Sequence, residues 1–493
     1  MHDAARFSRE VRQDATCARV EDRPERQSGC AAVMTGPQIP IGPMDTNQLK
    51  LLLGEGTERD WLDFKQELDL SSTGGRVEIA KDVGAMSIGG GYIVVGANDD
   101  GSPAGLPLTR PEFYDSSRLG PILSKYLSGV QVSGARHKVG AQEYGLICVR
   151  PHPDGFAIFA SDGSYAKPNG KTEIAFRKGA VYARHNTSSE AWQQADIAQI
   201  RRQLAQRGED LQQARARADE VADELLSSLT RQGHTYLVTA LSPSTPGAAP
   251  AGQPLIDAAS AAEDAAATRA FTTAVAGDPD WTRACYPRAG KGRAVLLSQR
   301  DDQPGLEWRA ELHRDGSGAT AVLLGRREGG AEGWTSVFLD RLEVELANQI
   351  DLLLHWVRQA GGSGDVHVAA CLYPALDDGP LDQPGDPLPL LIDTEPSVSA
   401  SGKSEHVHPA DAPPLTAAMD TPLHIGAEEP HGPLRVAYAL ALDLVNAVGI
   451  TGPTLLRDDG TLDPTFAVIP GPKRRLQERA GQRGVLTAGA HLL

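Results

Sequence analysis

The sequence predicts an α+β protein in which a long helix joins two structured parts. Segments with strand and helix periodicity alternate over residues 44–204, which is typical of a mixed α/β unit. A stretch rich in Ala, Gln, Glu and Arg follows, and strand-like patterns resume after Gly233. We therefore predict an N-terminal mixed α/β domain at 44–204, a helical connector at 205–232 and a separate C-terminal α+β domain at 233–493.

The N-terminal domain is expected to contain one sheet. Residues 1–43 show no helix or strand periodicity, so we expect either a disordered extension there or residues upstream of the true start codon, with Met34 and Met44 as alternative starts. Thr46 is a candidate N-cap for a first helix that ends at Gly54. The pattern after it predicts five or six strands and two helices, with strands at 61–67, 92–96, 138–149 as a hairpin, 156–159 and 173–177, and helices at 77–86 and 116–127.

The stretch 189–231 predicts one long helix with an interrupted apolar stripe that includes Ile200, Leu204, Val221 and Leu225. Two interpretations stay open at this point. The helix either packs on its own chain or forms a coiled coil in a homodimer, and its heptads are irregular.

The C-terminal half predicts a second set of alternating elements. They are strands at 234–241, 307–312, 319–324, 334–339 and 366–372, and helices at 257–276, 342–359 and 434–448. Residues 377–432 are rich in Pro, Asp, Gly and Ser, which is the composition of an exposed insertion. No pattern in this half names a ligand.

The formal net charge of the 493 residues is −16. Indiscriminate binding to nucleic acid depends on Lys and Arg that displace counterions from phosphates, so this charge argues against it. Any nucleic-acid site must therefore be a local patch. The sequence shows no apolar run of about 18 residues and no signal-peptide core, so we expect a cytoplasmic protein without a membrane partner.

Signals for other cofactors are weak. The five cysteines form no CxxC pair, and Gly290-Lys291-Gly292 lacks the flanking residues of a phosphate loop. Four histidines, His406, His408, His424 and His431, fall in the predicted insertion, where a metal site is a minor alternative.

A motif of charged residues begins directly after the first predicted helix. It is Gly54-Glu55-Gly56-Thr57-Glu58-Arg59-Asp60-Trp61-Leu62-Asp63-Phe64-Lys65. Three further pieces follow in order: a helix that contains Ala80, Lys81, Ala85 and Met86; the turn and strand 89–101 with Gly105-Leu106; and the segment 176–184 followed by Ser188 and Ser189.

This ordered set resembles the Alba-like domain that Schlafen proteins share with many bacterial regulators, over about a third of the chain. The sequence departs from the family pattern at two positions. Asp63 stands where many members have Glu, and Asn98 stands where an acidic residue is common.

The resemblance implies a cutting site made of three carboxylates, at Glu58, Asp63 and either Asp99 or Asp100. A phosphodiester is hydrolysed with the help of a hard cation, and Mg²⁺ or Mn²⁺ is held by a few carboxylates and water. Lys65 would face the phosphate beside them.

Strand geometry restricts how these side chains can meet. Residues five apart on a straight strand lie on opposite faces, so Glu58 and Asp63 need a turn or bulge between them, near Arg59-Asp60. Lys65 lies two residues after Asp63 and shares its face. In the alternative interpretation, Glu58 and Asp63 pair as surface ions with Lys65, Lys81 or Arg177.

The densest cationic cluster near the motif is formed by Arg177, Lys178, Arg184 and His185. It is a candidate track for the phosphates of nucleic acid. A solvated strand edge protected by charge is an equally open interpretation.

Two hypotheses about function follow. The first is a metal-dependent endoribonuclease that acts on structured RNA such as tRNA, with phage defence as one setting. The second is a DNA-binding transcriptional regulator without catalytic activity, whose C-terminal domain binds an effector. Convergence of Glu58, Asp63 and Asp99 or Asp100 around one cation would favour the first.

Overall fold

The computed structural model describes residues 44–114, 116–167, 170–185, 187–267, 288–299, 306–329, 333–377, 385–394, 405–423 and 431–463. These residues belong to one compact unit, 40–493. The chain is an α+β protein, as predicted. The predicted N-terminal extension, residues 1–43, lies outside the described residues. No described helix combines the length and apolar character needed to cross a membrane.

Four strands form the N-terminal sheet in the order β1-β2-β4-β3, and three helices accompany it. The strands are β1 (Leu62–Lys65), β2 (Gly91–Val95), β3 (Val132–Val139) and β4 (Gln142–Val149), and the helices are α1 (Thr46–Gly54), α2 (Thr73–Met86) and α3 (Ser116–Ser124). Strands β1 and β2 are parallel, whereas the other two pairs are antiparallel.

Both faces of the central strand β2 are buried. Because side chains alternate along a strand, Tyr92 and Val94 of β2 pack with α1, while Ile93 and Val95 pack with α2. This explains why β2 is a continuous apolar run and not an alternating one.

The two N-terminal helices begin elsewhere than predicted. Asp45, and not Thr46, caps α1, since its Oδ1 accepts a hydrogen bond from the backbone N–H of Gln48 at 2.8 Å. Helix α2 begins at Thr73, where the Ser72 hydroxyl accepts from the Gly75 amide at 3.0 Å. Glycine disfavours a helix, so the sequence pattern did not predict this start. Gly75 is nevertheless required, because a Cβ there would lie 2.0 Å from the carbonyl oxygen of Asp69.

The predicted sheet of five or six strands is wrong. Two separate hairpins follow the four-stranded sheet, formed by β5 (Gly163–Ala166) with β6 (Thr172–Phe176) and by β7 (Tyr182–His185) with β8 (Ser188–Ala191). The predicted strand at 156–159 makes only an isolated bridge from Phe159 to Leu127. Ala157 and Phe159 of this segment are buried in the core instead, where the rings of Phe159 and Phe176 stack with centroids 3.9 Å apart.

The long helix α4 (Gln194–Ser227) contacts both parts of the chain. Near its start, Ile200 packs with Ile88 and Ala183. Near its end, Val221 and Leu225 are buried against the C-terminal sheet. The apolar stripe is therefore covered within the chain at both ends, which favours the interpretation of a helix that packs on its own chain.

The C-terminal part contains a sheet of ten strands with helices on both faces. The strands are β9 (His234–Thr245), β10 (Arg288–Ala289), β11 (Arg293–Gln299), β12 (Leu306–His313), β13 (Gly318–Glu328), β14 (Trp334–Phe338), β15 (Ser363–Tyr373), β16 (Leu390–Asp393), β17 (Glu405–His408) and β18 (Leu415–Pro422). On β9, Tyr236 and Val238 face α4, while Leu237 and Leu241 face a core that contains α5 (Gln253–Ala267), α6 (Leu339–Gln359) and α7 (Gly432–Asn446).

The prediction of an exposed insertion at 377–432 is wrong, because this stretch contains strands β16 to β18 of the sheet. Strand β18 pairs with β15 from Asp365↔Pro422 to Leu372↔Leu415, and Leu415 and Ala417 are buried. These strands are short and are separated by Pro- and Gly-rich segments, so composition averaged over the whole stretch concealed them. The predicted helix residues 268–276 lie outside the described residues.

Candidate functional site

Asp63 and Lys65 lie on the face of β1 that points toward α2. Their neighbours Leu62 and Phe64 point the other way, into the core around α1. The predicted shared face of Asp63 and Lys65 is thereby confirmed. Lys65 Nζ lies 2.7 Å from Asp63 Oδ2 and 2.9 Å from Oδ2 of Asp82, a residue of α2.

Arg184 of β7 completes the surroundings of Asp63. Its Nη2 donates to Asp63 Oδ1 at 2.6 Å, and its Nε donates to the backbone carbonyl of Arg59 at 3.3 Å. The side chains of Arg184 and Asp63 are each only 3% exposed. Burial acts to raise the pKa of Asp63, but Lys65 and Arg184 outweigh it and hold that pKa below its usual value.

Glu58 reaches the same place because the chain turns back on itself. Arg59 and Leu62 exchange backbone hydrogen bonds at 2.9 and 3.2 Å, which confirms the predicted turn near Arg59-Asp60. The Glu58 carboxylate then accepts from the Phe64 amide at 3.0 Å. Burial, together with the neighbouring carboxylate of Asp63, raises the pKa of Glu58.

Asp99 and Asp100 lie in the loop after β2, and both are exposed. The Asp100 Oδ1 accepts from the backbone N–H of Ser102 at 2.9 Å. Hydrogen bonds from the Ser102 hydroxyl and amide lower the pKa of Asp100. Within the described residues, neither aspartate belongs to a group of three ligand atoms lying within 4.8 Å of one another.

The arrangement does not fit Mg²⁺ or Mn²⁺. Only Glu58 and Asp63 of the four predicted ligands come together, and both oxygens of Asp63 already bind cationic side chains at 2.6 and 2.7 Å. A hard divalent cation is held by carboxylate, carbonyl and water oxygens, and Lys65 and Arg184 already occupy the two oxygens that Asp63 could offer. What the structure brings together is a buried ion-pair network.

The sequence did not predict Asp82 as a member of this network or Ser189 as its partner. Asp82 binds Lys65 and also accepts a hydrogen bond from the Ser189 hydroxyl at 2.8 Å. A signal for Asp82 existed, since it lies on the apolar side of α2, three residues after Ile79 and next to Val83. No local signal marked Ser189 as its partner.

The predicted cationic cluster is divided by the structure. Arg177 and Lys178 lie exposed in the turn before β7, where Arg177 has one weak ion pair with Asp162 at 3.9 Å. Arg184 is buried against Asp63, so its predicted place on a surface track is wrong. His185 Nε2 lies 3.0 Å from Asp196 Oδ1, at the start of α4, and Nδ1 lies 3.5 Å from Glu190.

One group of side chains in the described residues has metal-like spacing: Glu224 of α4 with Glu311 and His313 of β12. Arg217 Nη2 lies 3.1 Å from His313 Nδ1. Since a guanidinium can only donate, Nδ1 must accept, and the imidazole proton then occupies Nε2, the nitrogen that faces Glu224 at 3.8 Å.

Arginines also neutralise the two glutamates of this group. Arg293 pairs with Glu224 at 2.5 Å and with Glu311 at 3.0 Å, and Arg309 pairs with Glu311 as well. The group therefore joins α4 to the sheet by ion pairs and does not fit a divalent metal.

The histidines of the predicted insertion do not assemble into a metal site either, as far as they are described. His408 and His431 each bind a backbone carbonyl, those of Pro413 and Gly460. His424 and the side chain of His406 lie outside the described residues.

Comparison with known proteins gives no relative for this chain. No family model matches it, and neither the curated proteins nor the solved structures contain a match.

Proposed function

We propose that this protein binds nucleic acid through its N-terminal part, residues 44–204, and does not cut it. In this proposal the N-terminal part is an Alba-like domain, the chain acts as a regulator, and residues 233–493 bind an effector. The support for nucleic-acid binding is the ordered set of motifs that resembles the Schlafen Alba-like domain.

The double ion pair of Asp63 is the observation that supports binding without cleavage. The cutting site that the resemblance implies would use this carboxylate for its cation, whereas here it neutralises Lys65 and Arg184 inside the fold. Removing one partner of a buried ion pair typically costs roughly 3–5 kcal/mol, because the other charge is left buried. Recruiting Asp63 to a metal would therefore compete with the stability of the domain.

The experiment measures binding and integrity of the nucleic acid in the same samples. The full-length protein is mixed with labelled duplex DNA or labelled tRNA at low salt, with either Mn²⁺ or EDTA. We expect a retarded complex with at least one of them and recovery of intact nucleic acid in both conditions. Absence of a complex with both would overturn the proposal.

A further inference from the structure

The outer strand β3 of the N-terminal sheet carries cations that the acidic motif does not use. It pairs on one side with β4, and the sheet order places no described strand on its other side. Arg136 and Lys138 lie on the same face of β3, since they are two residues apart, and both are exposed. Their register partners on β4 are Gly145 and Glu143.

A groove of about 420 Å³ runs along this strand. Its lining consists of Tyr114, the β3 residues Gly134 to Lys138, and Glu143 of β4. Two glycines let Tyr114 lie against the sheet as one wall of the groove. A Cβ on Gly145 would lie 2.5 Å from the Tyr114 ring, and a Cβ on Gly134 would lie 2.3 Å from its carbonyl oxygen.

The charges of the groove differ from those around Asp63. Among the described residues, no ion pair or side-chain hydrogen bond occupies Arg136 or Lys138, whereas Lys65 and Arg184 are both neutralised. The single carboxylate of the lining is Glu143, so cations outnumber it. The imidazole of His137, another lining residue, is engaged with α1, since its Nδ1 lies 3.2 Å from the Thr46 hydroxyl.

We propose that this groove holds the phosphate backbone of nucleic acid, with Arg136 and Lys138 as the phosphate contacts. The proposal rests on the proposed function and names the surface that performs it. Side chains two residues apart on a strand lie roughly 6.6–6.8 Å apart, so the two cations can contact separate phosphates. Such contacts position a nucleic acid without reading its sequence.

The test compares the salt dependence of binding in three full-length proteins. These are the wild type, the double variant Arg136→Ala/Lys138→Ala, and the matched control Arg177→Ala/Lys178→Ala, which removes two exposed cations from a different turn. Each phosphate contact contributes roughly 0.7–0.9 to the slope of log affinity against log salt. The groove variant should lose about 1.4–1.8 of this slope, while the control keeps it. The thermal midpoint of each variant checks that the fold is retained.

The outcomes separate the two proposals. Wild-type binding with an unchanged slope in the groove variant would overturn the groove and leave the proposed function standing. No wild-type binding to DNA or RNA would overturn both. A third outcome is that nucleic acid does not bind, while poly-glutamate binds the wild type and binds the groove variant more weakly. The groove would then be a site for acidic peptides, and its assignment to nucleic acid would be wrong.

Discussion

Arg184 and Asp63 form a buried ion pair, 2.6 Å long, between residues 121 positions apart in the sequence. It joins the β7–β8 hairpin to the edge of the N-terminal sheet. The pair gives the acidic motif a structural role, because the carboxylate holds a cation from elsewhere in the chain.

Replacing Arg184 should therefore destabilise the protein strongly. In Arg184→Ala, Asp63 would keep only Lys65 as a cationic partner in a buried place, and the free energy of unfolding should fall by roughly 3–5 kcal/mol. Urea denaturation measures this loss. Arg177→Ala is the matched control, since its side chain is 68% exposed and should change stability by less than about 0.5 kcal/mol. Equal stability of the two variants would contradict the structural role of the pair.

The predicted ligands Asp63 and Asp99 should behave differently from each other. Asp63→Asn should lower the free energy of unfolding by about 3 kcal/mol or more, because it leaves Lys65 and Arg184 without a carboxylate between them. Asp99 is exposed, so Asp99→Asn should stay within about 0.5 kcal/mol of the wild type. Chemical denaturation of both variants decides the matter, and similar losses for the two would mean that Asp99 belongs to the same network.

His185 should make stability depend on pH. Its hydrogen bond to Asp196, aided by Glu190, raises its pKa above the ordinary value of 6.5. A raised folded-state pKa gives stability that is complete below about pH 6.5 and is lost as pH rises through the folded pKa. His185→Gln should thus be less stable than the wild type at pH 6, and this difference should shrink above the folded pKa. Thermal midpoints across pH 5.5–9 test it, and a constant difference would show that the imidazolium is not involved.

Glu343 on α6 should be a second critical carboxylate. It is buried and accepts hydrogen bonds from the backbone amides of Thr454, Leu455 and Leu456 at 2.7–2.8 Å. In Glu343→Gln, the side-chain NH₂ group would face these donors, so the free energy of unfolding should fall by about 1–3 kcal/mol. Glu209→Gln on the exposed side of α4 serves as the control. A Glu343→Gln protein as stable as this control would disprove the role assigned to the carboxylate.

Divalent metals should leave the stability of the protein unchanged. A ligand that binds the folded state raises the thermal midpoint by mass action. Because arginines neutralise the group of Glu224, Glu311 and His313, and Lys65 and Arg184 neutralise Asp63, neither Mn²⁺ nor Zn²⁺ should shift the midpoint relative to EDTA. A concentration-dependent rise that disappears in His313→Ala would show that the group binds metal.

Local geometry explains what the sequence predicted correctly. The period of two along a strand placed Asp63 and Lys65 on one face, and the five-residue separation required the turn at Arg59-Asp60. Strand β2 was found because it is an uninterrupted apolar run. Each of these inferences uses neighbouring residues alone.

The rest depended on contacts between distant residues. The sequence around Arg184 shows a cation, but it does not show whether the side chain turns outward to a ligand or inward to Asp63. Strand β18 is likewise fixed by its pairing with β15, and the Pro-, Gly- and Ser-rich stretch around it is what resembles a loop. The site was therefore predictable as a motif, whereas its ion pairs required the fold.

Incubation of labelled tRNA with the full-length protein in Mn²⁺ shows whether the acidic motif cuts nucleic acid. The tRNA should remain intact at protein concentrations that bind it. The Glu58→Ala/Asp99→Ala variant, which leaves the Asp63 ion pair in place, should give the same result. Cleavage by the wild type that EDTA prevents and this variant lacks would show that the carboxylates form a metal-dependent cutting site and that the protein is a nuclease.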